Sequence, residues 1–322
     1  MINHFKELSY LVIEVNSSCN LKCLSCNREE LVASGKREPK EITPEELEQL
    51  LSKFKDCRID TIKLEGISEP MLHRRFDECA RVVKKVFPSA FVIIATNLQY
   101  QIERTTFKET LRYVDMVYLS IDGVGKIYED LRPPAKYKRL LSSLEYIKDV
   151  IPSEDKKKLF VNFVLGENNL QCLDDIYELV DNYELAGVRI NLAQNWSEDQ
   201  KNSLSLKLDD ISSLKKYAKD VKGVAGWKYE NCFWPYEGLV IDVYGDVRQC
   251  IINTTQEALC NIYKDDVEEY FNSSLHYKKT RELLCKNIAA DNCKNCDYFY
   301  LAGILESIIP QELRIPSREF KK

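Results

Sequence analysis

The sequence has no apolar run that approaches the roughly 20 residues of a membrane-spanning helix. Its start, MINHFKELSYLVIEVNSSC, lacks the basic and then apolar pattern of a secretory signal. Lysine and arginine (46) are outnumbered by aspartate and glutamate (51) and form no long basic run. A positive face for nucleic-acid phosphates is therefore not predicted. We expect a cytoplasmic protein with no membrane or nucleic-acid partner.

Cysteine, by contrast, is abundant, with 12 residues in a chain of 322. Reducing compartments disfavour disulfides, so clustered cysteines there more often bind metal. Three cysteines lie together in CNLKCLSC, at Cys19, Cys23 and Cys26. A structural zinc site needs four ligands in a closed tetrahedron, and a disulfide framework needs an even number. The loop therefore predicts either a fourth ligand from elsewhere or a metal centre with one open coordination position.

Strand-like and helix-like segments alternate over the first two thirds of the chain. Strands rich in valine and isoleucine, separated by helices, predict six β/α units and a parallel sheet that is buried on both faces. The predicted strands are 10–15, 61–66, 91–96, 114–122, 159–165 and 187–193. The predicted helices are 43–54, 74–86, 103–113, 137–150, 170–184 and 211–221.

Polar motifs follow these strands at the point where each strand ends. The carboxyl ends of parallel strands meet at one edge of a sheet, where the sites of such folds gather. We therefore expect one site built from several strand ends. Its candidates are the cysteine loop, the stretch 66–70, Thr96 with Asn97, the stretch 120–122, Asn162 and Asn191.

The pattern changes after about residue 225. The segment CFWPYEGLVIDVYGDVRQC predicts two strands joined at a Tyr-Gly-Asp turn, two short helical stretches follow, and DNCKNC lies near the end. We therefore predict two domains, over 1–225 and 226–322.

The spacing C-x3-C-x2-C directly after the first strand resembles the radical S-adenosylmethionine (radical SAM) enzymes. The resemblance implies an α/β fold, a partial (β/α)6 TIM-like barrel. It also implies that Cys19, Cys23 and Cys26 hold three irons of a [4Fe–4S] cluster whose fourth iron binds SAM. The cofactor pair would then yield a 5′-deoxyadenosyl radical that abstracts hydrogen from a substrate.

The stretch GISEP, over 66–70, resembles the Gly-x-Gly-Glu-Pro stretch that meets the SAM amino group in this family. The resemblance implies contacts from Gly66, Ser68 and Glu69, and Ser68 stands where the family has a second glycine. The TNL and SIDG stretches resemble further family motifs, although each polar residue could instead cap a helix or close a turn. The cofactor contacts implied there and in the later strands are Thr96, Asn97, Ser120, Asp122, Asn162 and Asn191.

The C-terminal cysteines resemble the family's SPASM or twitch extension, a small β-hairpin and helix that bind an auxiliary cluster. Its shorter, twitch form implies a second [4Fe–4S] cluster with four ligands. Zinc is the alternative, but zinc ribbons usually use two close pairs of cysteines. The implied ligands are Cys232, Cys250, Cys293 and Cys296.

We expect an oxidoreductase of the dehydrogenase type that takes hydrogen from a small polar substrate of carbohydrate or cyclitol type. The auxiliary cluster would accept an electron, and a reductase, flavodoxin or ferredoxin would serve as electron donor. Two other enzyme functions stay open: crosslinking of a ribosomal peptide, and epimerisation with Cys260 or Cys285 as hydrogen donor. Either cysteine could instead be a small buried side chain. A non-catalytic metal-binding module would leave the open three-cysteine loop without purpose.

Overall fold

A nine-stranded sheet organises the part of the chain that the computed structural model describes: residues 4–193, 216–217, 220, 232–251, 257–293 and 296. The predicted helix over 211–221 and the predicted domain boundary near 226 lie mostly outside these residues. The strand order is β6-β5-β4-β3-β2-β1-β7-β8-β9. Strands β1 to β6 are parallel to their neighbours, as the alternating pattern predicts.

The limits of β3 and β5 agree with the predicted segments to the residue, whereas β1 and β2 each begin three residues and end two residues earlier than predicted. The strands are β1 (Glu7–Ile13), β2 (Arg58–Leu64), β3 (Phe91–Thr96), β4 (Met116–Ser120), β5 (Leu159–Leu165), β6 (Gly187–Leu192), β7 (Gly238–Ile241), β8 (Asp246–Arg248) and β9 (Cys260–Asn261).

The helices of the described residues are α1 (Arg28–Ala33), α2 (Pro44–Ser52), α3 (Phe76–Val86), α4 (Phe107–Thr110), α5 (Gly125–Leu131), α6 (Tyr137–Val150), α7 (Ser153–Lys156), α8 (Leu173–Asn182), α9 (Trp234–Glu237), α10 (Val267–Ser273) and α11 (Leu275–Cys285). None of the helices described has the length and apolar character that crossing a bilayer requires.

The two faces of the parallel sheet differ in burial. Side chains along a strand alternate between faces. In β5, Leu159, Val161 and Phe163 are fully buried in the hydrophobic core, whereas Phe160 and Asn162 point the other way and are partly exposed. We call the face that carries Asn162 the inner face. The prediction of burial on both faces is therefore wrong for β5, whereas Val12, Ile93 and Tyr118 on the inner face of β1, β3 and β4 are buried.

Local signals fix the start of α2 as predicted. Pro44 occupies the first turn, the Thr43 hydroxyl accepts a hydrogen bond from the Glu46 backbone N–H, and the Glu46 carboxylate accepts one from the Thr43 backbone N–H. The predicted helix over 103–113 is shorter in the structure, with a 3₁₀ turn over Ile102–Arg104 and then α4. Thr105 is extended between them (φ −106°, ψ 173°), and its hydroxyl accepts a hydrogen bond from the backbone N–H of Phe107.

The hairpin predicted after residue 232 is present and extends the sheet. Strands β7 and β8 pair antiparallel around a turn in which Gly245 has φ +85°. A Cβ at Gly245 would lie 2.4 Å from the Tyr263 ring. Strand β7 pairs parallel with β1, so the turn of the hairpin lies at the same edge of the sheet as the carboxyl end of β1, and β8 runs back beside β7 toward Cys250. The predicted second domain thus shares a sheet with the first, and its boundary stays a prediction.

Candidate active site

The three-cysteine loop joins β1 to α1 and is fixed to the segment that follows β4. The backbone N–H of Lys22 donates to the carbonyl of Pro133 (2.6 Å), and that of Leu24 donates to the carbonyl of Leu131 (3.0 Å). The backbone N–H of Glu69 donates to the carbonyl of Ser18 (2.9 Å). The loop is therefore held over the carboxyl ends of β2 and β4.

The three thiols of this loop lie close together and suit a metal cluster. Burial raises the pKa of Cys19 to about 11 and that of Cys26 to about 12, and nearby cysteine charges add to both shifts. Burial likewise raises the pKa of Cys23. Thiols in this setting become thiolates when cations neutralise them, and cluster iron supplies such charge. The donor set therefore fits an iron–sulfur cluster.

In the described part of the chain, no three His, Cys, Asp or Glu side chains are placed to hold a single metal ion.

Glu69, predicted to meet the SAM amino group, is 2% exposed and binds protein groups. Its carboxylate accepts hydrogen bonds from the Thr96 hydroxyl (2.6 Å) and from the backbone N–H groups of Asn97 (2.7 Å) and Met71 (3.2 Å). Burial raises the pKa of Glu69 to about 7, against the effect of these donors. Glu69 therefore joins the ends of β2 and β3, and Thr96, which also bonds Tyr100, takes part in the same network.

Asn97 lies between this network and the cysteine loop. Its side-chain N–H donates to the Asn20 amide oxygen (2.9 Å) and lies 4.0 Å from the Cys19 sulfur. Its amide oxygen accepts from the backbone N–H of Gln99 (2.8 Å). The structure thus brings Glu69, Thr96 and Asn97 together beside Cys19, as expected of strand ends in one site.

Asp122 forms a buried ion pair with Arg132, a residue that the sequence did not single out. Oδ2 of Asp122 lies 2.6 Å from Nη2 of Arg132, and Nη1 of Arg132 lies 3.9 Å from the Cys23 sulfur. Burial acts to lower the pKa of Arg132, but Asp122 and then Cys23 raise it, and the net shift is upward. Arg132 therefore places a permanent positive charge beside the cysteine loop.

The remaining predicted contacts lie on the inner face of β4, β5 and β6. Ser120 pairs with Asn162 in register, and the Asn191 side-chain N–H donates to the Asn162 amide oxygen. Arg189 donates to the amide oxygen of Asn191 (3.2 Å) and to the Tyr118 hydroxyl (2.5 Å). These five side chains form a polar row across the inner face, and no sequence motif marked Arg189 or Tyr118 as part of it.

A small pocket, open to solvent, lies between the cysteine loop and the ends of β4 and β5. Ser25, Asp122, Gly166 and Asn169 contribute to its lining. The Asn169 side-chain N–H donates to the carbonyls of Asp122 (2.8 Å) and Val164 (2.9 Å), which fixes the cavity wall. Its position beside the cysteine loop suits part of a cofactor bound at the cluster.

The four predicted auxiliary cysteines also come together. Burial raises the pKa of Cys232, and the charges of Cys250, Cys293 and Cys296 raise it further. Cys293 closes a 3₁₀ turn, and the backbone N–H of Cys296 donates to its carbonyl (3.0 Å). A four-thiol set of this kind fits a second cluster.

The two candidate hydrogen donors lie in the C-terminal part of the described chain, where Tyr236 and Tyr277 each sense one of them together with an auxiliary cysteine. Cys260 pairs with Val247, and Val247 pairs with Ile241, so these three side chains lie on one face of the sheet. Val240 and Arg248 lie on the opposite face. Burial raises the pKa of Cys260 to about 12. Cys285, at the end of α11, lies 3.1 Å from the Tyr236 hydroxyl. Neither thiol joins the polar row of the inner face.

The fold is a partial β/α barrel that carries an open three-thiol loop at its strand ends and a second set of four thiols. Together these features define a class of iron–sulfur enzymes. A model of the radical SAM superfamily matches residues 13–180, and a model of the SPASM iron–sulfur cluster-binding domain matches residues 232–297. The chain belongs to the radical SAM superfamily. Membership implies a [4Fe–4S] cluster and SAM as cofactors, and the SPASM domain implies auxiliary iron–sulfur binding.

Among curated proteins, the chain is similar to lipoyl synthase of Haemophilus influenzae, with 26% identity over 170 residues. This match covers 51% of each protein, so the chain spans about half the length of the curated relatives it matches.

Among solved structures, SuiB of Streptococcus suis bound to S-adenosylmethionine has a TM-score of 0.69 and 16% identity, covering 90% of this chain and 78% of SuiB. BtrN, solved with AdoMet and 2-DOIA, has a TM-score of 0.54 and 17% identity, covering 87% of this chain and 88% of BtrN. At these identities the likeness shows the fold.

Proposed function

We propose that this protein is a radical SAM oxidoreductase that abstracts hydrogen from a small polar substrate of carbohydrate or cyclitol type. When bound, the cluster and SAM supply the hydrogen-abstracting 5′-deoxyadenosyl radical. The observation that carries the proposal is the meeting of the three-cysteine loop with the ends of β2, β3 and β4. We assign Cys19, Cys23 and Cys26 to the cluster.

The SAM-binding residues proposed are those at these strand ends. Gly66 and Ser68 offer backbone groups at the end of β2, while Glu69 and Thr96 hold that backbone in place through their hydrogen bond. Ser120, Asn162 and Asn191 present polar groups on the inner face, Asn97 lies by Cys19, and Asp122 lines the neighbouring cavity. In this proposal Glu69 acts on SAM chiefly by fixing the backbone around it.

Cys232, Cys250, Cys293 and Cys296 would occupy every iron of an auxiliary [4Fe–4S] cluster, leaving no open position for a substrate. Their proposed task is to hold an electron acceptor. Oxidation of a carbinol removes two electrons: one leaves with the abstracted hydrogen atom, and the other passes to this acceptor as the hydroxyl proton is lost. Reduced flavodoxin, ferredoxin or a reductase is the proposed donor of the electron that starts the reaction.

The test is cleavage of SAM by the anaerobically prepared, reduced protein. We expect slow formation of 5′-deoxyadenosine without substrate, and none from the variant in which Cys19, Cys23 and Cys26 are all alanine. Cys79→Ala is the matched control, because Cys79 is fully buried in the core beside His73. Equal cleavage by the triple variant would overturn the proposal.

Glucose, glucosamine and myo-inositol are first screened for turnover. For a substrate that reacts, the mass of the product formed in heavy water then distinguishes oxidation from epimerisation. Oxidation yields a product two hydrogens lighter, with one deoxyadenosine for each product. Epimerisation yields a product of unchanged composition that carries one solvent deuterium, and requires a thiol donor. The position of Cys260 on the face opposite to Arg248 favours oxidation.

Peptide modification is the second candidate function. The solved structure of SuiB bound to its precursor peptide SuiA covers 91% of this chain, with a TM-score of 0.68. This likeness supports a fold that can take a peptide as substrate. Crosslinking would leave a peptide two hydrogens lighter, so mass analysis of peptides incubated with the reduced protein and SAM tests this candidate.

A further inference from the structure

A second cavity lies between the end of β1, the end of β2 and the β7–β8 hairpin. It is open to solvent, with an empty volume of about 550 Å³. Gly66 and Ile67, which begin the proposed SAM-binding stretch, contribute to its wall. Its charged lining comes from four parts of the chain, namely the end of β1, the loop after α1, the end of β2 and the hairpin: Glu14, Lys36, Arg37, Glu65, Asp242 and Arg248.

A buried ion pair forms the floor of this cavity. The side chains of Arg37 and Glu14 are 5% and 3% exposed, and Nη2 of Arg37 bonds Oε1 of Glu14. The Glu14 side chain lies across Gly66, where a Cβ would come within 2.2 Å of Oε1. A glycine at this position therefore allows the pair to form at the end of β2.

Two arginines at this cavity carry a buried donor that has no partner. In the part of the chain that the structure describes, neither Nε of Arg37 nor Nε of Arg248 forms a hydrogen bond. A buried donor without an acceptor costs about 1–3 kcal/mol, so such atoms are rare unless a ligand completes them. The missing group at this cavity is an acceptor.

The carboxylates of the lining do not oppose an anion, because each has its own cation. Glu14 pairs with Arg37, Asp242 with Arg248 (2.5 Å), and Glu65 with Lys63 (2.7 Å). Lys36, on the rim, makes no ion pair with any described residue. The cavity therefore offers one lysine without an ion pair, in addition to two guanidinium N–H groups that lack a partner.

The position of the cavity suits a substrate. The Tyr244 hydroxyl bonds the backbone of Glu38, and Lys40 lies 5.6 Å from the centre of the Tyr244 ring, so the hairpin closes one side. Arg248 precedes Cys250 by two residues. A molecule bound there would contact the start of the proposed SAM-binding stretch and the strand that leads to Cys250.

We propose that this cavity binds an anionic group, a carboxylate or a phosphate, of the substrate, through Lys36, Arg37 and Arg248. The inference rests on the proposed function for its assignment to a substrate. It narrows that substrate to a polar molecule that carries an acid group.

The probes are inorganic phosphate and succinate, with neutral succinamide as the matched control for succinate. Isothermal titration of the full chain with its clusters in place, at constant ionic strength set with sodium chloride, measures binding. We expect saturable binding of phosphate or succinate with a Kd of about 1–10 mM, and none of succinamide. Binding of phosphate but not of succinate would indicate a phosphorylated substrate. Binding of succinate but not of phosphate would indicate a substrate with a carboxylic acid.

Lys36→Gln and Arg248→Gln should each weaken anion binding about tenfold or more, because each removes a charge-assisted contact. Iron content and SAM binding should stay as in the parent protein. Arg58→Gln is the matched control, an ion-paired but exposed arginine at the amino end of β2. The double variant Glu14→Gln with Arg37→Gln removes both charges of the buried ion pair at once. It therefore tests the contribution of this pair to anion binding without leaving a buried charge unpaired.

Absence of binding by both anions, or equal weakening by Arg58→Gln, would overturn the inference. Neither result would change SAM cleavage. Failure of this inference can therefore be distinguished from failure of the proposed function, which the SAM cleavage assay tests separately.

Discussion

The carboxylate of Glu69 and the hydroxyl of Thr96 lie 2.6 Å apart, in a hydrogen bond that is fully buried. The bond connects the end of β2 with the end of β3, and the same carboxylate also holds the backbone N–H of Asn97. Because Asn97 reaches toward Cys19, one carboxylate sets the positions of two strand ends beneath the cysteine loop.

The stability of the protein should fall with rising pH because of Glu69. Its pKa rises from 4.5 to about 7 on burial, so the folded state holds this proton more tightly than the unfolded state. The stabilisation is fully present below pH 4.5 and is lost as the pH rises through about 7, a change of about 3 kcal/mol.

The variant Glu69→Gln lacks this titration. Urea unfolding of both proteins without SAM, from about pH 5 to about pH 8, measures the difference between their unfolding free energies. We expect the unfolding free energy of the parent protein, relative to that of Glu69→Gln, to fall as the pH rises over this range. A constant difference would contradict the assigned pKa.

Gly66→Ala should destabilise the protein by about 3 kcal/mol, because the new Cβ displaces the buried Glu14 carboxylate from Arg37. Gly35→Ala is the matched control. Gly35 has φ +70°, but a Cβ added there would meet no atom within 4 Å, so only the backbone cost of about 1 kcal/mol applies. Thermal unfolding midpoints compare the two, and equal losses would show that Glu14 can move aside.

Asp122→Asn should cost about 3 kcal/mol, since it leaves Arg132 buried without its charged partner. Adding Arg132→Gln should recover part of this loss, giving a coupling free energy of about 1 kcal/mol or more. The exposed pair Arg58–Asp60 provides the control, with a change within about 0.5 kcal/mol for Asp60→Asn. Additive losses in urea unfolding would rule out a direct Asp122–Arg132 interaction.

Anaerobically reconstituted protein should contain about eight iron and eight sulfide for each chain, from two [4Fe–4S] clusters. Replacing Cys19, Cys23 and Cys26 by alanine should leave about half, and so should replacing Cys232, Cys250, Cys293 and Cys296. Metal analysis and sulfide determination measure both. Zinc in place of the second half would show that the auxiliary site is not a cluster.

The sequence predicts the limits of β3, β5 and α6 and the cap at Thr43. These features depend on hydrophobic periodicity, β-branched content and capping residues, which determine local structure within a few neighbouring residues. The gathering of cysteine, Glu69 and Asn97 at one edge follows as well, since parallel strands bring their carboxyl ends together.

The sequence alone determined the alternation of strands and helices, the strand-end motifs and the two cysteine sets. The tertiary structure decided which groups meet. Arg132 reaches Cys23 across 109 positions of the chain, and Arg37 reaches Glu14 through the path of the loop after α1. Strand register decided that Cys260 lies on the face away from Arg248. Local periodicity carries no information on such pairings, because they arise from the packing of segments distant in sequence.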